Sequence, residues 1–96
     1  MRYEELDNYI EERKKEGLAK IEITLEGTEE NDQFYVIKTK ETFVFADEED
    51  ADNIINDARQ KPGFAGCDKK YKAGKINKSG EIVRPETYTA VVKLNH

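Results

Sequence analysis

A chain of 96 residues has room for one modest core and no second one, so it is read as a single domain spanning 1–96. Apolar residues make up 36% and charged residues 39%, against roughly 45–50% and 25% in ordinary domains, which implies a thin core under a heavily ionic surface. No stretch approaches the roughly 18 apolar residues of a membrane span, the first ten residues carry no apolar run, and the one cysteine, Cys67, forms no internal disulfide, so a cytoplasmic location is expected.

Residues 2–16 predict a helix. Tyr3, Leu6 and Ile10 recur at helical spacing with Tyr9 at the edge of the same stripe. Lys14 and Lys15 suit its C-terminal end and Gly17 stops it. The stripe is narrow, so this helix depends on packing against another element. Residues 19–26 then alternate strictly. Ala19, Ile21, Ile23 and Leu25 share one face, and Lys20, Glu22, Thr24 and Glu26 share the other, the pattern of a strand with one dry side.

Residues 33–46 carry two apolar clusters, Phe34 to Ile37 and Phe43 to Phe45, around a polar middle. No Gly, Pro or Asn marks a turn between them, which favours one long or bulged strand over two short ones. Residues 47–60 predict the second helix: Asp47 is placed as N-cap, Ala51, Ile54, Ile55 and Ala58 form the apolar face, and Pro62-Gly63 follows the end. Residues 64–76 and 81–94 predict a hairpin about Asn77-Lys78-Ser79-Gly80, a type I turn closed by a left-handed glycine. In its second strand Tyr88, Ala90, Val92 and Leu94 share one face and Thr87, Thr89, Val91 and Lys93 the other, and Pro85 marks an edge or bulge.

The order is α-β-β-α-β-β. It implies an α+β fold, an antiparallel four- to five-stranded sheet with both helices packed on one face and Thr and charged side chains on the other.

The residues give no cofactor or metal signature. Gly74 to Gly80 lacks P-loop spacing and reads as the hairpin turn. The run from Asp47 to Asp52 lacks the glycine and the twelfth-position glutamate of an EF-hand. One His and one Cys do not build a zinc site, and Cys67 has no internal histidine to activate it. No enzyme activity, no cofactor and no metal are therefore expected.

Charge is the distinctive feature. Residues 1–58 hold 18 Asp and Glu against 7 Lys and Arg, while residues 59–84 hold 8 Lys and Arg against Asp68 and Glu81. This polarity points first to a non-catalytic protein-interaction module, an inhibitor or adaptor, that binds a partner with a basic surface. Its contacts would lie on the acidic first helix, through Glu4, Glu5, Glu11 and Glu12 with Tyr3 and Tyr9 as aromatic anchors, or on a sheet edge. Small viral accessory proteins that imitate DNA phosphates share this size and charge, a likeness of bulk properties with no motif behind it.

The alternative is nucleic-acid binding by the basic hairpin, through Lys69, Lys70, Tyr71, Lys72, Lys75, Lys78 and Arg84. Alternation splits those lysines between two faces, with Lys70 and Lys72 on one and Lys69, Tyr71 and Lys75 on the other. Lysines on an edge hairpin also guard against aggregation. A homodimer through the last strand is a third expectation.

Overall fold

The computed structural model describes residues 2–27 and 36–96, with the backbone alone at Tyr3. A 3-10 turn, Tyr3–Glu5, leads into α1, Leu6–Lys15. Strands β1, Leu18–Glu26, and β2, Val36–Phe45, follow, then α2, Glu48–Arg59. The remaining chain forms β3, Phe64–Lys72, the short β4, Lys75–Ile76, and β5, Ile82–Arg84, and finally β6, Thr87–Asn95. The main sheet is antiparallel in the order β1-β2-β6-β3, and β4 and β5 pair separately as a two-stranded ribbon.

Two features of this order bear on the expected hairpin. Each of its strands is divided, the first at Ala73-Gly74 and the second at Pro85-Glu86. Proline has no amide hydrogen for a ladder, and at Gly74 a Cβ would sit 3.0 Å from both Arg84 O and Glu86 N. The chains draw close there and the pairing breaks. The main sheet therefore has four strands, and the rest of the hairpin continues beyond it. The long-strand reading of the mid-chain segment holds for 36–45, and its portion at 33–35 lies outside the described residues.

The pleat sorts side chains by register. Ile37, Thr39, Glu41 and Phe43 of β2 stand on one face with Ala90, Val92 and Leu94 of β6. α2 covers this face with Ala51, Ile54, Ile55 and Ala58, and Leu18, Phe45, Phe64, Cys67 and Tyr88 pack around the cluster. α1 lies on the same side, since Arg13 and Tyr9 both reach Glu41. Both helices thus share one face of the sheet. A bulge between Leu18 and Lys20 puts Leu18, rather than Ala19, into the core row.

On the open face stand Lys20, Glu22, Thr24 and Glu26 of β1 beside Lys38, Lys40 and Thr42 of β2. Val91 of β6 sits in their midst, between Thr42 and Asp68, and these neighbours bury it. Among the described residues no helix is long and apolar enough to cross a membrane.

The loop ends are built by local chemistry. Asp47 occupies the N-cap position of α2 in extended conformation without a side-chain cap bond. At the ribbon tip Gly80 N donates to Asn77 O at 3.1 Å with Gly80 at φ 81°, while Asn77 Oδ1 accepts from the amides of Ser79 and Glu81, both at 2.9 Å. That is the expected turn, closed by an Asx bond.

Candidate functional site

Every residue from 68 to 86 is exposed. The molecule measures 62 × 22 × 19 Å, and the β4–β5 ribbon continues past the last pair of the main sheet, Lys72 with Thr87. Ile76 of β4 faces Ile82 of β5 directly across the ribbon. They are 66% and 71% exposed, Val83 is 60% exposed and Tyr71, at the ribbon's base, 57%. A groove of about 490 Å³ runs along this surface, lined by Tyr71, Ile76 and Ile82 together with Lys75 and Arg84. Tyr71, Ile76, Ile82 and Val83 are four of the seven large apolar side chains that stay exposed among the described residues.

The seven basic-hairpin residues divide in use. Lys69 turns to the helical side, where its Nζ donates to Asp52 at 2.7 Å and lies 3.9 Å from Glu48. The bond to Asp52 raises its pKa. Lys70, on the open face, lies 3.8 Å from Asp68. Tyr71 donates to Glu86 at 2.9 Å, and this bond, more than burial, raises the phenol's pKa. Arg84 donates through Nη2 to Ala73 O at 3.2 Å. Among the described residues, Lys72, Lys75, Lys78 and Arg84 have no carboxylate within ion-pair distance. The predicted split of Lys70 and Lys72 from Lys69 and Tyr71 is seen. The open face holds no aromatic ring among the described residues, because Phe43, Phe45, Tyr71 and Tyr88 all stand on the helical side.

On the acidic side, Glu4 and Glu5 are exposed in the 3-10 turn, and Glu11 and Glu12 are exposed on α1. Glu11 accepts from Lys14 at 3.2 Å. Tyr9 is half-buried, and its hydroxyl donates inward to Glu41 Oε2 at 2.7 Å. Burial first, and that bond second, push its pKa well up. The side chain of Tyr3 lies outside the described residues. Of the residues expected to form this contact, the four carboxylates are exposed, and the structure gives Tyr9 a role inside the fold.

The interior holds a polar cluster that sequence reasoning missed. Glu41 is fully buried and Arg13 is 4% exposed. Arg13 Nε donates to Glu41 Oε1, and its guanidinium lies 4.9 Å over the Phe43 ring. Thr39 Oγ1 is 2.9 Å from His96 Nε2, and the His96 ring meets Tyr9 edge-on at 4.9 Å. Among the described residues no buried side-chain N or O lacks a hydrogen-bond partner. The cluster is satisfied by its own members together with half-exposed Glu16, which accepts from Arg13 Nη1, and this is the signature of a structural clasp. Among the described residues no three His, Cys, Asp or Glu side chains converge as metal ligands.

The ribbon's apolar residues were also missed, though a signal existed. Gly74 and Pro85 bracket residues 75–84 and mark where the sheet stops. Isoleucines beyond that point have no sheet face to cover. Neither a protein-family model, nor a curated protein, nor a solved structure matches the chain.

Proposed function

We propose that this chain is a non-catalytic protein-interaction module that docks through the projecting β4–β5 ribbon onto a partner surface that is apolar at its centre and acidic at its rim. The Ile76–Ile82 pair carries the reading. Covering an exposed isoleucine contributes roughly 1.5–3 kcal/mol, and here two stand side by side with Val83 close by. Lys75, Lys78 and Arg84 around them favour carboxylates over cations as neighbours. The ribbon fills the role given to a sheet edge in the sequence, while the carboxylates of α1 offer a second, purely polar contact.

A photo-reactive side chain at position 76 or 82 tests the reading. It is expected to link to a carboxylate-rich peptide of one partner. Retention of that partner should be lost in Ile76→Ser/Ile82→Ser and kept in Glu4→Lys/Glu5→Lys/Glu11→Lys/Glu12→Lys. The reverse pattern moves the contact to α1 and overturns the ribbon.

The unpaired cations Lys72, Lys75, Lys78 and Arg84 favour one other reading, contact with a phosphate backbone. Among the described residues the open face offers no ring on which bases can stack, so this reading concerns backbone charge and not base recognition. Lys70→Glu/Lys72→Glu should then abolish a gel shift, and the affinity should fall steeply with salt. No shift at low salt removes it.

A further inference from the structure

We infer that the outer edge of β1 pairs with the same edge of a second copy, antiparallel and centred on Ile23, so that two four-stranded sheets join into one. This contact lies apart from the ribbon and does not depend on what the ribbon docks on.

β6, the strand expected to carry a homodimer, has no edge to offer, because β2 and β3 flank it. The edges of the main sheet are β1 and β3. Proteins blunt an edge with bulges, lysines and inward-pointing charges. β3 has all three: a bulge between Phe64 and Gly66, Lys70 and Lys72 on the open face, and Lys69 on the helical side. β1 differs. Its bulge lies before Lys20, and from Lys20 to Glu26 it runs in unbroken register with β2. That stretch has no proline, and its helical-side row is Ile21, Ile23 and Leu25, with no charge among them. The row is also incompletely covered. In the adjoining row of β2, Ile37, Thr39 and Glu41 are buried, whereas Ile21 and Ile23 are half-buried and Leu25 is 43% exposed. Among the described residues nothing pairs with the outer side of β1.

The order of charges selects the neighbour. A two-fold axis through Ile23 sets Ile23 against its own copy, Ile21 against Leu25, Glu22 against Thr24 and Lys20 against Glu26. Residues opposed across antiparallel strands share a face, so the apolar rows of both copies meet on the helical side. On the open side every charge meets an opposite charge or a threonine, and opposite charges across strands stabilise where like charges do not. Centring the pair on Glu22 would set that carboxylate against itself, and centring it on Ile21 would draw the bulge into the ladder. Within one chain Glu26 accepts from Lys38 at 2.9 Å, and Glu22 lies 3.6 Å from Lys20 and 3.7 Å from Lys40. Lys20 of the second copy, set beside Glu26, links these pairs into a row of alternating sign that crosses the junction. The contact is the same patch on both copies, so it closes at two. The axis turns the two ribbons in opposite directions.

Sedimentation of the full chain over rising concentration should give a reversible dimer and nothing larger. Ile23→Lys, which sets an inward-pointing charge against its own copy, should remain monomeric and folded by circular dichroism. Glu26→Lys, at an exposed position, should raise the dissociation constant of the dimer by about tenfold, and Lys20→Glu/Glu26→Lys should restore it, because the opposed charges are then exchanged and not lost. Cross-linking reads the register, since paired strands bring Cα atoms within disulfide range. In a Cys67→Ser background Ile23→Cys should oxidise to a covalent dimer. Leu25→Cys alone should not link, and an equimolar mixture of Leu25→Cys with Ile21→Cys should.

The ribbon variant Ile76→Ser/Ile82→Ser should dimerise like the parent chain. A parent chain that stays monomeric at its highest soluble concentration overturns the edge pairing and leaves the ribbon reading standing. A dimer lost in the ribbon variant assigns self-association to the ribbon and overturns the β1 contact. Leu25→Cys that links to its own copy, or a charge exchange that restores nothing, overturns the register even where Ile23→Lys fails to fold.

Discussion

Tyr9 Oη donates to Glu41 Oε2 across 2.7 Å and so joins the first helix to the centre of the sheet. Arg13 approaches the same carboxylate from one helical turn further on, and only Leu6 and Arg13 are buried on α1. Polar contacts to one buried acid therefore hold much of this helix in place.

Removing one partner of a buried pair costs about 3–5 kcal/mol when the other charge is left uncompensated; here Arg13 keeps a second, half-exposed partner in Glu16. Glu41→Ala is therefore expected to lower stability in urea denaturation by no more than about 3–5 kcal/mol. Arg13→Met/Glu41→Leu should cost less than Glu41→Ala alone. A double variant as damaged as the single one would show that the charges themselves are not what matters.

His96 gives a pH readout of the same cluster. Burial, ahead of other causes, holds its imidazole below the ordinary value of 6.5, with the Glu41 charge partly opposing. A depressed histidine contributes stability that is full above 6.5 and is lost as pH falls through the folded value. It is the chain's one histidine, so its NMR titration is unambiguous. The midpoint should lie below 6.5, and Glu41→Gln should move it lower still.

The fold was legible in the sequence wherever apolar periodicity met a clear boundary. α2, the alternation of β1 and β6, and the turn at Asn77 to Gly80 are of this kind. The buried ion pair was harder to see because charged residues default to solvent. Its signal lay in spacing: Arg13 falls seven residues after Leu6 on the α1 stripe, and Glu41 has the inward parity of Ile37, Thr39 and Phe43. What could not be read was that one salt bridge would join the two, since that depends on how α1 lies across the sheet. The ribbon was hidden for the opposite reason. Alternation describes strands, and it does not say where a sheet ends.

At the ribbon, stability and association should come apart. Exposed substitutions away from special features usually change stability by less than about 0.5 kcal/mol. Ile76→Thr/Ile82→Thr is expected to melt close to the parent chain by circular dichroism while losing its association with the partner. A large drop in melting temperature would mean that the pair supports the fold instead.

Gly63 is fixed by backbone proximity. It lies at φ 84°, its carbonyl accepts from Asn95 N at 2.8 Å, and a Cβ there would stand 1.9 Å from Asn95 O. Gly63→Ala should cost more than about 1–3 kcal/mol, because the clash adds to the left-handed strain. Gly80, at φ 81° but in open space, should tolerate alanine better. Chemical denaturation of the two variants side by side checks the ranking.

Strand β6 is continuous with the ribbon at one end and leads to His96 at the other, flanked throughout by β2 and β3. Tension on a docked ribbon therefore passes into the edge strand β3, which leads to β4, and also along the central strand β6. Its hydrogen bonds lie across the strand direction, so the two ladders are loaded in shear and share the force, where a peripheral strand peeled from one end would yield bond by bond. The placement gives the projecting arm a mechanical anchor in one of the two strands of the main sheet that are held by a ladder on each side.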